Sequence, residues 1–66
     1  MDIFVNGEPQ HLPAPISVAA LVEARGLAGK RVAVERNGEI VPKSRYPDVR
    51  LTAGDSFEII GAVGGG

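Results

Sequence analysis

The sequence predicts a two-layer α+β domain: a mixed sheet of four to five strands with one main helix packed on one face. Three observations predict it. Asn-Gly pairs at 6–7 and 37–38 each stand between β-type runs, and both residues tolerate the positive φ of a tight hairpin turn. Only one stretch, Val18 to Arg25, carries a helical apolar stripe. A last alternating run begins at Ser56 and continues into the glycines that close the sequence.

The elements follow in order. In "MDIFVNGEPQHL", Ile3 and Val5 share one face and Phe4 takes the other. The return strand, Glu8 to Leu12, contains Pro9, which donates nothing to a ladder and so marks an edge strand. "PAPIS" is a loop, and Ser17 is placed to cap the helix "VAALVEAR". No glutamate stands three residues on, so only half of a capping box is present. Val18, Leu21 and Val22 form the buried stripe, Gly26 occupies the position after the cap, and Leu27 supplies its hydrophobic contact. In "RVAVERNGEIV", Val32 and Val34 point inward, Ile40 and Val41 resume the strand and Pro42 ends it. "KSRYPDVRL" has no clear period and is expected to wander, anchored by Tyr46, Val49 and Leu51. "AGD" is a turn, and Phe57 and Ile59 face inward from the last strand.

Sixty-six residues make one domain at most. A chain this short buries only about 60% of its unfolded surface, too little to enclose a deep active site. Its 44% hydrophobic and 23% charged residues are those of a globular domain. Seven basic and eight acidic side chains give a net charge of -1, which supplies no attraction for nucleic acid or an anionic membrane. The absence of cysteine excludes disulfides, thiolate metal sites and thiol nucleophiles within these residues. No leader pattern and no run of about 18 apolar residues is visible, so a cytoplasmic protein, monomeric when free, is expected.

Self-contained catalysis finds no support. His11 is the single histidine and reads as a strand residue. Ser17, Ser44 and Ser56 lack a matching His/Asp arrangement. "GLAGKR" fails as a phosphate loop, because that spacing needs glycine where Ala24 stands and Ser/Thr where Arg31 stands. No enzyme, no metal and no cofactor bound by the chain itself are expected.

The sequence closes on "GAVGGG". Glycines at a chain end fray, which alone argues no function. Here, however, they follow a hydrophobic strand with no polar spacer, and the last is expected to bear a free α-carboxylate, ionised at neutral pH. A carboxylate is a poor acyl donor until ATP converts it to an acyl-adenylate. An activating enzyme must hold its catalytic groups within about 3 Å of that carbon. Glycines lack the Cβ that would obstruct a narrow channel, and three extended residues reach roughly 10 Å. The expected layout is a domain over residues 1–63 and a flexible glycine tail over 64–66.

The ββαβββ order with a C-terminal di-glycine resembles the ubiquitin-like β-grasp fold. Over the whole chain, "ERNGEIVPKSRY" (35–46), "AGDSFEII" and "GAVGGG" resemble the ThiS family of sulfur carriers. The "NGEIVP" hairpin is the most specific piece, whereas a terminal Gly-Gly is common to all ubiquitin-like carriers. The resemblance implies that an E1-like, ThiF-like adenylyltransferase uses ATP to activate the C-terminal carboxylate. A sulfur-donating enzyme then converts it to a thiocarboxylate, which supplies sulfur to a ThiG-like thiazole synthase in thiamine biosynthesis. Carried over, Gly66 is the acceptor, Gly65 its required neighbour and Gly64 an extension of the tail.

The fold resemblance also puts the first and last strands together in mid-sheet. With Phe57 and Ile59 facing the helix, Glu58, Ile60 and Ala62 face outward, joined by Phe4 and Ala33. Phe4, Ile60, Ala62 and Val63 are then expected to dock on the adenylating enzyme, with Glu58 orienting the encounter. Three alternatives stay open here. One is a MoaD-like small subunit of molybdopterin synthase, a second is a β-grasp interaction module with an inert tail, and a third is a modifier conjugated to lysine.

Overall fold

Two left-handed turns set the hairpins. Asn6 and Gly7 have φ of 52° and 81°, and Asn37 and Gly38 have 50° and 86°. Positive φ at both central residues defines the type I′ turn, whose twist matches that of paired strands. The computed structural model describes residues 1–61. The first turn joins β1 (Asp2–Val5) to β2 (Glu8–His11), and the second joins β3 (Val32–Arg36) to β4 (Glu39–Val41). The last strand described is β5 (Ser56–Gly61), and the helix α1 spans Val18–Ala24. The expected boundary between residues 63 and 64 lies outside the described residues.

The sheet order is β2-β1-β5-β3-β4. The central pair, β1 with β5, is parallel, and every other pairing is antiparallel. The expected mixed sheet therefore forms with five strands, and its first and last strands meet in the middle. Pro9 lies on the edge strand β2, where its missing N–H costs no ladder bond. That strand ends at His11 rather than Leu12, although the Leu12 N–H still reaches the Met1 carbonyl at 2.8 Å.

The helix stops one residue before Arg25. Its end has a physical reason: Gly26, at φ 73°, donates to the Glu23 carbonyl, and Leu27 donates to the Val22 carbonyl. These two bonds form a Schellman closure. At the other end the Ser17 hydroxyl accepts from the Ala20 N–H at 3.1 Å, as a cap should.

"KSRYPDVRL" does not wander. Lys43–Arg45 form one turn of 3₁₀-helix, and the segment then serves the start of α1. Val18 N–H donates to the Val49 carbonyl at 2.8 Å and Ala19 N–H to the Tyr46 carbonyl at 3.0 Å. With Ser17 these bonds satisfy the first three orphan donors of the helix. Leu51 N–H returns to the Ile16 carbonyl at 2.9 Å. The segment has no period because its order comes from the helix it caps.

One core lies between helix and sheet. Ile3, Val5, Val34, Val41, Phe57 and Ile59 enter from the strands, Val18, Leu21 and Val22 from α1, and Tyr46 and Leu51 from the connection. Val32, expected to point inward, is half-buried and packs against this core. Among the described residues no buried side-chain polar atom lacks a partner, and no helix is long and apolar enough to cross a membrane.

Candidate functional site

The face of the sheet turned away from the helix carries the residues expected to meet a partner. Strand alternation that buries Phe57 and Ile59 leaves Glu58 and Ile60 exposed, and the alternation that buries Ile3 and Val5 exposes Phe4. Phe4 is 43% exposed and Ile60 54%. Ala33 stands directly opposite Ile60 across the β3–β5 ladder, so these two form one small apolar unit. The expected residues Phe4, Ala33, Glu58 and Ile60 do share one face. Ala62, Val63, Gly64, Gly65 and Gly66 lie outside the described residues.

Register corrects the shape of this patch. Phe4 is opposite Ser56, not Ile60. Four residues along a strand separate the two levels by about 13 Å, and Glu58 lies between them. Phe4 and Ile60 are therefore two apolar points on either side of a carboxylate. A third was missed: Ile40, 64% exposed, on the same face. Counting back from Asn37-Gly38 finds it, because Arg36 pairs with Glu39 and Glu35 with Ile40. Ile40 then takes the face opposite to Val34 and Val41.

At the centre of the face Glu35 stands directly opposite Glu58. Like charges in that position repel and weaken a sheet. Phe4, Ile40 and the Ile60–Ala33 pair surround these two carboxylates. The arrangement suits a partner surface with apolar contacts around a cationic centre.

Both turn asparagines hold the strand that carries this face. Asn6 Oδ1 accepts from the Ile59 N–H at 2.9 Å, and its amide donates to the Ile59 carbonyl at 3.3 Å. Asn6 thereby continues the β1–β5 ladder by one side chain, after its own N–H has bonded the Phe57 carbonyl at 2.8 Å. Asn37 Oδ1 accepts from the Ser56 N–H at 2.9 Å, while the Asn37 backbone N–H donates to the Ser56 carbonyl at 2.8 Å. The sequence marks both residues as turn formers, and nothing in it marks them as clamps on β5.

Asp55, buried just before β5, is the third support and was also missed. Its carboxylate accepts from Arg36 Nε at 2.9 Å, the Thr52 N–H at 2.8 Å and the Asn37 amide at 3.1 Å. Burial pushes its pKa up. The Thr52, Asn37 and Arg36 donors together outweigh that, so the carboxyl lies below its ordinary value. Nothing here is poised for proton transfer: every donor fixes the ionised form.

His11 sits on the exposed edge strand with Nδ1 2.7 Å from Asp2 Oδ1. That hydrogen bond lowers the Asp2 pKa and outweighs the opposing effect of desolvation. Among the described residues no group of three His, Cys, Asp or Glu is placed to hold a metal ion.

Comparison with known proteins gives consistent matches. The ThiS family model matches residues 3–66. A Paramagnetospirillum magneticum protein named thiazole synthase is 46% identical over 66 residues, covering all of this chain and 20% of that protein. A Magnetococcus marinus protein of the same name also contains the chain within 20% of its length. The chain thus spans about a fifth of these two relatives. The sulfur carrier protein ThiS of Bacillus subtilis is 44% identical over 50 residues, 76% of each chain. The crystal structure of the thiamine biosynthesis protein ThiS from Geobacter metallireducens matches with a TM-score of 0.84 and 30% identity over the whole of both chains.

Proposed function

The chain belongs to the ThiS family, and on that premise we propose that it carries sulfur for thiazole formation in thiamine biosynthesis, on the carboxylate of Gly66. The observation that supports this most is the family match over residues 3–66, which includes the glycines at 64, 65 and 66. The relatives named thiazole synthase favour the thiazole branch over a molybdopterin one, because this chain's sequence recurs within them.

The chemistry divides between the chain and its partners. A Gly66 carboxylate oxygen attacks the α-phosphorus of ATP in the site of a ThiF-like adenylyltransferase, and pyrophosphate leaves. Sulfide released by a sulfur-donating enzyme then attacks the acyl carbon as HS⁻ and expels AMP, giving the thiocarboxylate and a proton. That group transfers its sulfur in a thiazole synthase. The chain acts as a protein co-substrate: Gly64 and Gly65 add no Cβ to obstruct the channel, and β5 fixes where the tail begins.

The outer face serves recognition. Ile60, Ala33, Phe4 and Ile40 supply apolar contacts and Glu58 with Glu35 a negative centre. Incubation with a ThiF-like enzyme, ATP and a sulfur donor tests the proposal. Intact mass should rise by about 16 Da as sulfur replaces oxygen. A chain of unchanged mass, with the enzyme active on the Bacillus subtilis carrier, overturns it.

A further inference from the structure

The end of the sheet at which β5 reaches Gly61 is cationic. Gly61 pairs with Val32, the first residue of β3, and Arg31 directly precedes it. Lys43 opens the 3₁₀ turn that follows β4. Arg31 and Lys43 line one open groove of about 420 Å³ with Val32, Ala33, Ile60 and Gly61, and among the described residues no carboxylate borders it. Lys30 directly precedes Arg31 and shares a second groove with Lys43, which Glu23 also borders. All three cations are exposed, and among the described residues none has an ion pair.

The charge is therefore sorted by position in a chain with a net charge of -1. The two carboxylates of the outer face, Glu35 and Glu58, stand away from the Gly61 end, while Asp55, at the opposite end of β5, is consumed by Arg36. Unpaired cations gathered at one place repel one another, and oppositely charged groups on a partner relieve this. Five residues separate Gly61 from Gly66 and span at most about 17 Å when extended. A tail inserted into a partner leaves this groove at the entrance, remote from the reacting carbonyl and its nucleotide.

We propose that Arg31 and Lys43, with Lys30 beside them, form a cationic rim that pairs with carboxylate side chains around the entrance of the adenylyltransferase channel. The rim steers the tail into the channel and sets its approach, and Ile60 and Ala33 at its edge make it continuous with the apolar face. This inference rests on the functional reading above, because it needs a partner that receives the tail. Arg31, Lys30 and Lys43 are positioning residues and touch no reacting atom.

Steady-state adenylation with the double variants Arg31→Glu/Lys43→Glu and Arg31→Gln/Lys43→Gln tests it. The Glu variant should raise KM for the carrier at least about tenfold with kcat and KM for ATP within about twofold, and the Gln variant should fall between it and wild type. Added salt should raise the wild-type KM steeply and the Gln variant's KM weakly. The melting temperatures should match wild type, since neither side chain makes a hydrogen bond or ion pair among the described residues. A carrier KM within about twofold of wild type in the Glu variant overturns the rim, as does a changed KM for ATP, which would put these cations at the nucleotide. Self-association of wild type that the Glu variant abolishes in sedimentation also overturns it, by giving the rim a second copy as its partner. Wild-type chain that gains no mass with enzyme and sulfur donor overturns the functional reading and the rim with it. Mass gain with an insensitive KM overturns the rim alone.

Discussion

Replacing Asn6 with glycine separates its two roles. The turn needs a residue content at φ 52°, and glycine adopts that conformation without a Cβ penalty. What glycine cannot supply is the clamp on Ile59. The bond from the Ile59 N–H to Asn6 Oδ1 is 2.9 Å, near the optimum, while the return bond from the Asn6 amide is 3.3 Å and weak. A neutral hydrogen bond contributes about 0.5–1.5 kcal/mol net, so the pair contributes about 1–2 kcal/mol. The added freedom of glycine in the unfolded chain is of opposite sign to the relief of left-handed strain, and the two roughly offset. In a domain of this size 1 kcal/mol moves the melting temperature by about 4–8 °C, so Asn6→Gly should melt about 5–15 °C below wild type. Circular dichroism measures the melt, and hydrogen exchange at the Ile59 amide reports the clamp itself. A shift under about 2 °C with unchanged Ile59 protection would refute the clamp.

Three further outcomes follow from the same structure. Ile59→Ala should cost about 2–5 kcal/mol in urea unfolding, because Ile59 is only 7% exposed, and a loss below about 1 kcal/mol would contradict its packing. Asp55 has a lowered folded-state pKa, so its stabilisation is complete above the unfolded value of about 3.9 and is lost as pH falls through the lower folded value. Wild-type unfolding midpoints should therefore drop from about pH 5 downwards more steeply than those of Asp55→Asn, and parallel curves would contradict the assignment. Asp2 is lowered in the same direction by its hydrogen bond to His11, but it is exposed and screened by solvent, so Asp2→Ala should leave the acid limb almost unchanged. Ile60→Glu should raise the carrier's KM in adenylation at least about tenfold while the melting temperature holds, because Ile60 is exposed and lies on the face proposed for recognition. An unaltered KM would remove this face from the recognition surface.

Local chemistry made much of the fold legible. Asn-Gly pairs permit few conformations other than a primed turn, so both hairpins and their facing could be read directly. The stripe of Val18, Leu21 and Val22 between Ser17 and Gly26 likewise defined α1, to within one residue. The segment 43–51 could not be read this way, because its bonds go to the first turn of a helix more than twenty residues earlier in the chain. The roles of Asn6, Asn37 and Asp55 were hidden for a related reason: each bonds a strand that only the tertiary fold brings near. On the outer face, alternation correctly assigned Phe4, Ala33, Glu58 and Ile60. It could not give the register between β1 and β5, so the distance from Phe4 to Ile60 and the facing of Glu35 with Glu58 had to come from the structure. Ile40 was within reach of turn counting. The cationic groove was not, since Arg31, Lys43 and Gly61 meet from three separate segments.

The most direct measurement is the position of the transferred sulfur. After reaction with a ThiF-like enzyme, ATP and a sulfur donor, fragmentation of the intact chain by tandem mass spectrometry reads the added mass residue by residue. Carriage on Gly66 predicts that every fragment containing the C-terminal carboxyl gains about 16 Da and that no fragment from residues 1–65 gains any. Sulfur found on an internal residue, or a chain that keeps its mass while the Bacillus subtilis carrier gains it, would contradict Gly66 as the acceptor.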